Sequence, residues 1–430
     1  MKKSSNWKNV LFWAVLSAAF IGPGTVATAA SAGAGFGLSL MWALFFSVFG
    51  CIVLQEAASR ITIVSGLSLG KAIGVLSHNS VWLRYLVGFA VIFGCAAYQA
   101  GNILGAVAGI SLFLDIPRWV VTLTVGGFAA LLLATNSIGK VSYYLGFVVA
   151  LMGLAFLIVA FHAPVLDMES ADTWKSMIYP SIPSGSDLLI LGLIGTTIVP
   201  YNLFLGSGIS HGQTVGRMRQ GLIPAIVFGG LFSAAVIVCG TLISGSFTFE
   251  KLFGSLTTSF GPEAGWLFAT GLFAAGFTSS VTAPMASGLT LQMTLPDSVS
   301  KTKAYNIGWI FAWTAGISLG LLELRPVPVI LMAQALNGLV LPVVTFCIGL
   351  AVNHKGLMSS TYKNGVVLNI FLSVIIVVSS FLGFRNIYRA AATAFDISFG
   401  QLTMPVLVAT AVAVLILFLV RLRQYEKWYG

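Results

Sequence analysis

Ionisable side chains are what this chain most lacks. Charged residues make up 8% of it, with 12 acids, 22 lysines and arginines, four histidines and four cysteines in 430 residues. That scarcity excludes a soluble globular domain, whose surface needs far more charge. Cys51, Cys95, Cys239 and Cys347 are widely spaced, so no thiolate metal site with close ligand pairs is available. They read as small buried hydrophobes. His78, His162, His211 and His354 are scattered at span ends and in loops, and no nucleophile–base pairing or soluble catalytic domain supports an enzyme. The longest polar stretch, from about His162 to Asp187, is too short for a domain. It reads as a loop whose Ser184-Gly185-Ser186-Asp187 run delivers an N-cap to the next span.

What is present is apolar. Hydrophobic residues are 57% of the chain and its mean hydropathy is +0.97. Apolar runs of roughly 20 residues, the length that crosses a bilayer core, fall near 9–36, 38–59, 85–113, 118–137, 141–161, 187–210, 220–246, 264–293, 305–322, 326–350, 364–384 and 402–420. The expectation is an all-α integral membrane protein of about twelve spans, with eleven the alternative count. Lys2-Lys3 followed by an apolar run and Ala27-Thr28-Ala29 mimics a secretory signal, but a cut there would discard half of the first span.

Basic residues set the orientation. With both termini cytoplasmic, 16 of the 22 basic residues face inward, among them Arg60, Lys71, Arg84, Arg217, Arg219 and Lys301. The net charge of +10 is then a positive inner face against anionic lipid, with no nucleic-acid footprint. The expected setting is a bacterial inner membrane and the expected state a monomer in the bilayer. Glu56 and Arg60, four residues apart at the inner end of the second span, read as a local ion pair or a gate contact.

Two spans carry matching interruptions: Ile21-Gly22-Pro23-Gly24-Thr25 in the first and Val199-Pro200-Tyr201-Asn202 in the sixth. Proline removes a backbone donor and glycine weakens the helix, which frees carbonyls and amides where lipid cannot satisfy them. Such groups must line a cavity or meet a ligand. Each break opens a group of five spans, which suggests inverted repeats over 1–161 and 187–350, with two accessory helices over 364–420, in one transmembrane domain.

These residues carry a family resemblance. Gly22-Pro23-Gly24-Thr25-Val26-Ala27-Thr28 with Gly33-Ala34-Gly35-Phe36-Gly37 resembles the first helix of the NRAMP divalent-metal transporters, whose motif reads Asp-Pro-Gly-Asn. Val199-Pro200-Tyr201-Asn202 and the following Leu203 to Ser207 resemble the family's Met-Pro-His-Asn stretch. Gln55 to Arg60, Gly271 to Gly288 and Gln334 to Pro342 are similar to its second, eighth and tenth helices. The resemblance implies a LeuT-type fold, a central site between broken helices 1 and 6, and alternating access.

It also implies where the ligands would be. The family's Asp, Asn, Met and backbone-carbonyl ligands correspond to Gly22, Thr25, Val199 and the carbonyl of Thr196; its two sixth-helix histidines to Tyr201 and Gly206; its third-helix acids to Gln99 and Asn102. No charge, imidazole or thioether remains at these positions. Hard divalent ions call for several oxygens including carboxylates, and softer ones for imidazole or sulfur. A proton relay needs ionisable groups within the membrane.

The substrate-binding set is therefore Gly22, Thr25, Gln99, Asn102, Thr196, Val199, Tyr201, Asn202 and Gln334, a polar and uncharged pocket flanked by half-helix dipoles. Thr278, Ser279 and Ser280 form a candidate sodium site, because hydroxyls on the eighth helix of LeuT-type transporters can face the unwound first helix. Otherwise these hydroxyls bond carbonyls of their own helix. Na+ as a coupling ion is the one cofactor this reading allows. Open readings are a transporter of a small polar solute or weakly held ion, a divalent-metal transporter with a weak or hydrated site, and a non-transporting sensor or subunit.

Overall fold

A chain within hydrocarbon must satisfy its own backbone hydrogen bonds, and this one does so with helices. The computed structural model describes residue 13 and residues 21–76, 81–135, 138–163, 171–322, 324–395 and 403–427; these contain no strand. The helices are α1 (Pro23–Phe36), α2 (Met41–Ser65), α3 (Leu69–Leu76), α4 (Val81–Ser111), α5 (Arg118–Thr135), α6 (Ile138–Phe161), α7 (Ala171–Ile178), α8 (Asp187–Thr197), α9 (Pro200–Ile209), α10 (Val215–Gly240), α11 (Phe249–Phe260), α12 (Pro262–Thr294), α13 (Lys301–Leu321), α14 (Pro326–Ala351), α15 (Val366–Phe395) and α16 (Thr403–Lys427). Among the described residues, eight helical stretches are long and apolar enough to cross a membrane, with α8 and α9 counted together. Shorter apolar stretches lie in α5 and α6. Helices α1 and α13 occupy the two remaining apolar runs of the sequence.

Three short helices, α3, α7 and α11, lie between the long ones. The segment expected as a plain loop after His162 contains α7. Helix α11 follows ordinary rules: Thr248 caps it by accepting from the Lys251 amide at 3.2 Å, and Phe249, Leu252 and Leu256 form its buried stripe. Helix α8 begins at Asp187 as expected, but Ser186 does not cap it. Its backbone is already helical (φ −79°, ψ −9°), and its hydroxyl donates to the Pro183 carbonyl at 2.7 Å.

Without a hydrophobic force between helices in lipid, close packing depends on small residues. A Cβ on Gly276 of α12 would lie 2.5 Å from the Ala106 nitrogen of α4, so the two backbones touch. A Cβ on Gly105 would lie 2.1 Å from the Pro23 Cβ, so α4 has a notch that receives the break in front of α1. The first observation sets α12 on α4, and the second sets the first break on α4.

Candidate functional site

Each break has the geometry that proline imposes on the residue before it. Gly22 (φ −124°, ψ −177°) and Val199 (φ −86°, ψ 119°) are extended, and Pro23 and Pro200 open α1 and α9. Pro200 also lacks the N–H that the Thr196 carbonyl, four residues earlier, would otherwise accept. The Gly195 carbonyl, near the end of α8, is met by the Tyr98 hydroxyl at 3.0 Å. The Gly22 carbonyl caps its own helix, accepting from the amides of Thr25 (3.0 Å) and Val26 (3.2 Å).

Polar side chains join the two breaks. Thr25 and Thr196 share a hydroxyl–hydroxyl hydrogen bond of 3.0 Å. Tyr98 also donates to Gln334 Oε1, and its ring meets Tyr201 edge-on at 5.4 Å between centroids. Gln334 rests where a side chain on Gly24 would be: a Cβ there would lie 1.8 Å from its Nε2 and 3.6 Å from the Thr196 hydroxyl. On the other side, Gln99 Nε2 donates to the Ser280 carbonyl at 2.9 Å and Asn102 Nδ2 to the Ser279 carbonyl at 3.0 Å. Gln99 has a structural reason to be there. Residue 284 is proline, so Ser280 loses its intrahelical donor and the glutamine supplies one.

Some groups are left over. Asn202, in the first turn of α9, has its carbonyl met by Gln55 Nε2 at 3.1 Å, yet neither Oδ1 nor Nδ2 of its side chain has a partner among the described residues. Gln99 Oε1 and the Ser279 hydroxyl are likewise unpartnered. All nine expected site residues are buried, and Asn202, the most exposed of the polar ones, is only 4% accessible. An unsatisfied buried amide costs on the order of 1–3 kcal/mol per group. Among the described residues, no three His, Cys, Asp or Glu side chains lie together.

A family model described as natural resistance-associated macrophage protein-like matches residues 14–389, most of the chain. The chain belongs to the NRAMP family. A divalent metal cation transporter, MntH of Verminephrobacter eiseniae, is 25% identical over 304 residues, 65% of this chain and 66% of that relative. A solved structure of a histidine-to-alanine mutant of the Eremococcus coleocola manganese transporter superposes with a TM-score of 0.72 at 18% identity, covering 99% of this chain and 97% of the other. MhsT in complex with L-phenylalanine superposes with a TM-score of 0.59 at 14% identity, covering 90% and 99%. The protein is thus an integral membrane transporter of LeuT fold in a family of transporters, not enzymes.

In this NRAMP protein the expected site residues divide by their surroundings. Thr25, Thr196, Gln334 and Tyr201 form one connected group through Tyr98. Gly22, Asn102 and Ser279 form another: a Cβ on Gly22 would lie 3.0 Å from the Ser279 Oγ and 3.9 Å from the Asn102 Oδ1. Of the three hydroxyls in the candidate sodium site, Thr278 donates to the Ala274 carbonyl and Ser280 to the Phe277 carbonyl (2.7 Å), both within α12. Only Ser279 keeps a free hydroxyl among the described residues.

Tyr98, Gly24 and Gln55 are site neighbours that the sequence reading left out of the binding set. Tyr98 had a usable signal, since it precedes Asn102 by four residues and shares its helix face.

Proposed function

We propose that this protein is an alternating-access secondary transporter whose neutral central site takes a small polar solute or a weakly held ion. The observation that carries the reading is Asn202: a fully buried carboxamide, unpartnered at both ends, at the start of the second half-helix. A donor and an acceptor held open beside two half-helix termini suit a ligand that presents both, such as a small zwitterion. Dehydrating a divalent ion there would have to be compensated by neutral dipoles alone. In this reading two inverted five-helix units, 1–161 and 187–350, rock about the site, 364–420 is accessory, both termini are cytoplasmic and the monomer resides in a plasma membrane.

Uptake into proteoliposomes, with thermal stabilisation by a panel of small polar solutes, tests the proposal. Asn202→Leu is expected to abolish uptake while unfolding no earlier than the parent protein, because replacing an orphan amide by an apolar group of similar size removes a penalty. Tight manganese binding by the unmodified protein would overturn it. Ligand binding without any flux would instead identify a sensor.

A second reading, weak transport of a divalent cation that keeps most of its water, draws on the name of the relative from Verminephrobacter eiseniae. Asn202, Gln334 and the freed carbonyls would then contact the hydrated ion. Restoring Gly22→Asp and Val199→Met separates the two readings, with Ser279→Gly added because the Ser279 hydroxyl occupies the approach to Gly22. Manganese binding confined to that triple variant means the native pocket is not a metal site.

A further inference from the structure

We propose a binding site for one anionic phospholipid in the cavity between α14, α15 and α16. Its phosphate meets Arg421, a glycerol ester carbonyl accepts from the Ser380 hydroxyl, and an acyl chain lies over Pro342 and Phe384. The site is independent of what the protein transports.

The cavity exists because α16 is only lightly packed. Of its apolar stretch Pro405–Leu422, 17% is buried. No hydrophobic force drives helices together in lipid, so they touch where their shapes fit. Here the fit is Phe418, fully buried in the notch left by Gly349 of α14. A Cβ on that glycine would lie 2.8 Å from the Phe418 ring and 3.5 Å from Ile376 of α15. Seven residues away on both α14 and α15, a Cβ on Gly383 would lie 3.1 Å from Pro342 Cγ. Those two helices therefore stay in contact over about 10 Å. Helix α16 does not close the space in front of them, and a cavity of about 470 Å³ remains, large enough for a ligand. Its floor is buried, with Cys347, Leu350 and Ser380 at most 5% exposed, whereas Val343 and Leu417 on its rim are 40% and 49% exposed. The rim residues belong to membrane-spanning stretches, so the opening faces hydrocarbon and the occupant comes from the bilayer.

Two polar groups select the lipid. Arg421 lines one end of the cavity, seven residues beyond Val414, which also lines it. That separation is about 10 Å along α16, and a helical side chain leans toward its own N-terminus, so Arg421 leans back over the cavity. Arg423 and Lys427 follow it in the sequence, against the single acid Glu426. A basic end above an apolar slot between membrane helices suits an anionic head group. Ser380 argues for a seated lipid over bulk hydrocarbon. A serine in a membrane helix ordinarily donates to a carbonyl of its own helix. Ser373 and Ser379 of α15 do so, to Asn369 at 2.8 Å and Ile376 at 3.2 Å. Ser380 lines the cavity, is fully buried, and its hydroxyl has no partner among the described residues. A hydrocarbon tail would leave that hydroxyl unsatisfied, whereas the ester below a lipid phosphate offers it an acceptor.

The test is lipid binding by the full-length protein, purified free of lipid in an uncharged maltoside detergent. Phosphatidylglycerol or phosphatidylcholine of identical chains is added, and binding is read by native mass spectrometry and by thermal unfolding. One phosphatidylglycerol is expected to bind about fivefold more tightly than phosphatidylcholine, and Arg421→Gln to erase that preference. Arg217→Gln, which removes a charge from the start of α10, is expected to leave it intact. Ser380→Ala loses an orphan hydroxyl, so without lipid it should unfold no earlier than the parent protein, while it binds both lipids about threefold more weakly. Glycerol 3-phosphate, which has the phosphate and no chain, is expected to be inert. The proposal is overturned if the parent protein binds the two lipids alike, or if Arg217→Gln lowers the preference as much as Arg421→Gln. It is overturned equally if Ser380→Ala binds lipid undiminished, or if glycerol 3-phosphate stabilises as well as the lipid does.

Discussion

Glu56 is the acid on which a buried cationic cluster depends, and its removal separates burial from charge as the source of stability. Arg60 meets Glu56 at 3.1 Å with only 3% of its side chain exposed, whereas Arg219 meets the same carboxylate at 2.8 Å with 47% exposed. Arg60 also donates to the Tyr362 carbonyl and to Asn364 Oδ1, which ties α2 to the turn at Ser360–Tyr362. Glu56→Gln leaves a desolvated guanidinium facing a second one. Breaking a buried pair from one side costs about 3–5 kcal/mol, and the two remaining acceptors put this case near the lower end, about 3 kcal/mol. Arg219→Gln removes a half-solvated partner and should cost less than about 1 kcal/mol. Combining Glu56→Gln with Arg60→Met removes both buried charges and should recover at least about 1 kcal/mol relative to Glu56→Gln. Equilibrium unfolding in mixed detergent and dodecyl sulfate micelles measures all three. The reasoning fails if Arg219→Gln costs as much as Glu56→Gln, or if the double variant is no better than the single.

Gly24→Ala should displace the Gln334 amide, whose Nε2 lies 1.8 Å from the new Cβ, and lose one hydrogen bond worth about 1 kcal/mol. Alanine's better helix propensity offsets a similar amount, so thermal stability should stay flat while the KM for uptake rises about fivefold. Tyr98→Phe leaves the Gly195 carbonyl and Gln334 Oε1 without their shared donor; a loss of about 1–3 kcal/mol in the same unfolding assay is expected. Lys71 donates to both Asp297 oxygens at 2.9 Å, and that hydrogen bond, followed by the lysine's charge, holds the Asp297 carboxyl below its ordinary range. With the folded value depressed, the link is present above the unfolded pKa and is lost as pH falls through the folded one. Asp297→Asn should therefore lower stability slightly at neutral pH, where the link is present, and converge with the parent protein at low pH, a difference that added salt also weakens.

Much of the fold was legible because a membrane makes sequence rules strict. Apolar length alone locates the long helices, and Gly22-Pro23 and Val199-Pro200 announce the breaks because proline removes a donor wherever it stands in a helix. The amphipathic α11 escaped notice because its buried stripe of Phe249, Leu252 and Leu256 lies within a stretch too polar to register as a span. The Ser186 cap failed for a local reason: capping needs an extended residue, and the turn after Pro183 leaves it helical.

By itself the sequence determined that this chain lives in a bilayer, where its helices break, and that the groups at those breaks are neutral. Those are properties of composition and of proline chemistry, and they need no partner. Only the tertiary structure decided which polar groups are satisfied and which remain open. Thr25 finds Thr196 across 171 residues of chain, Tyr98 finds Gly195, and Gln99 fills the gap made by Pro284, whereas Asn202 and Ser279 find nothing among the described residues. A hydroxyl or amide has the same formula in either case. What separates helix glue from a binding group is whether a distant element brings it a donor or acceptor, and that is settled by packing.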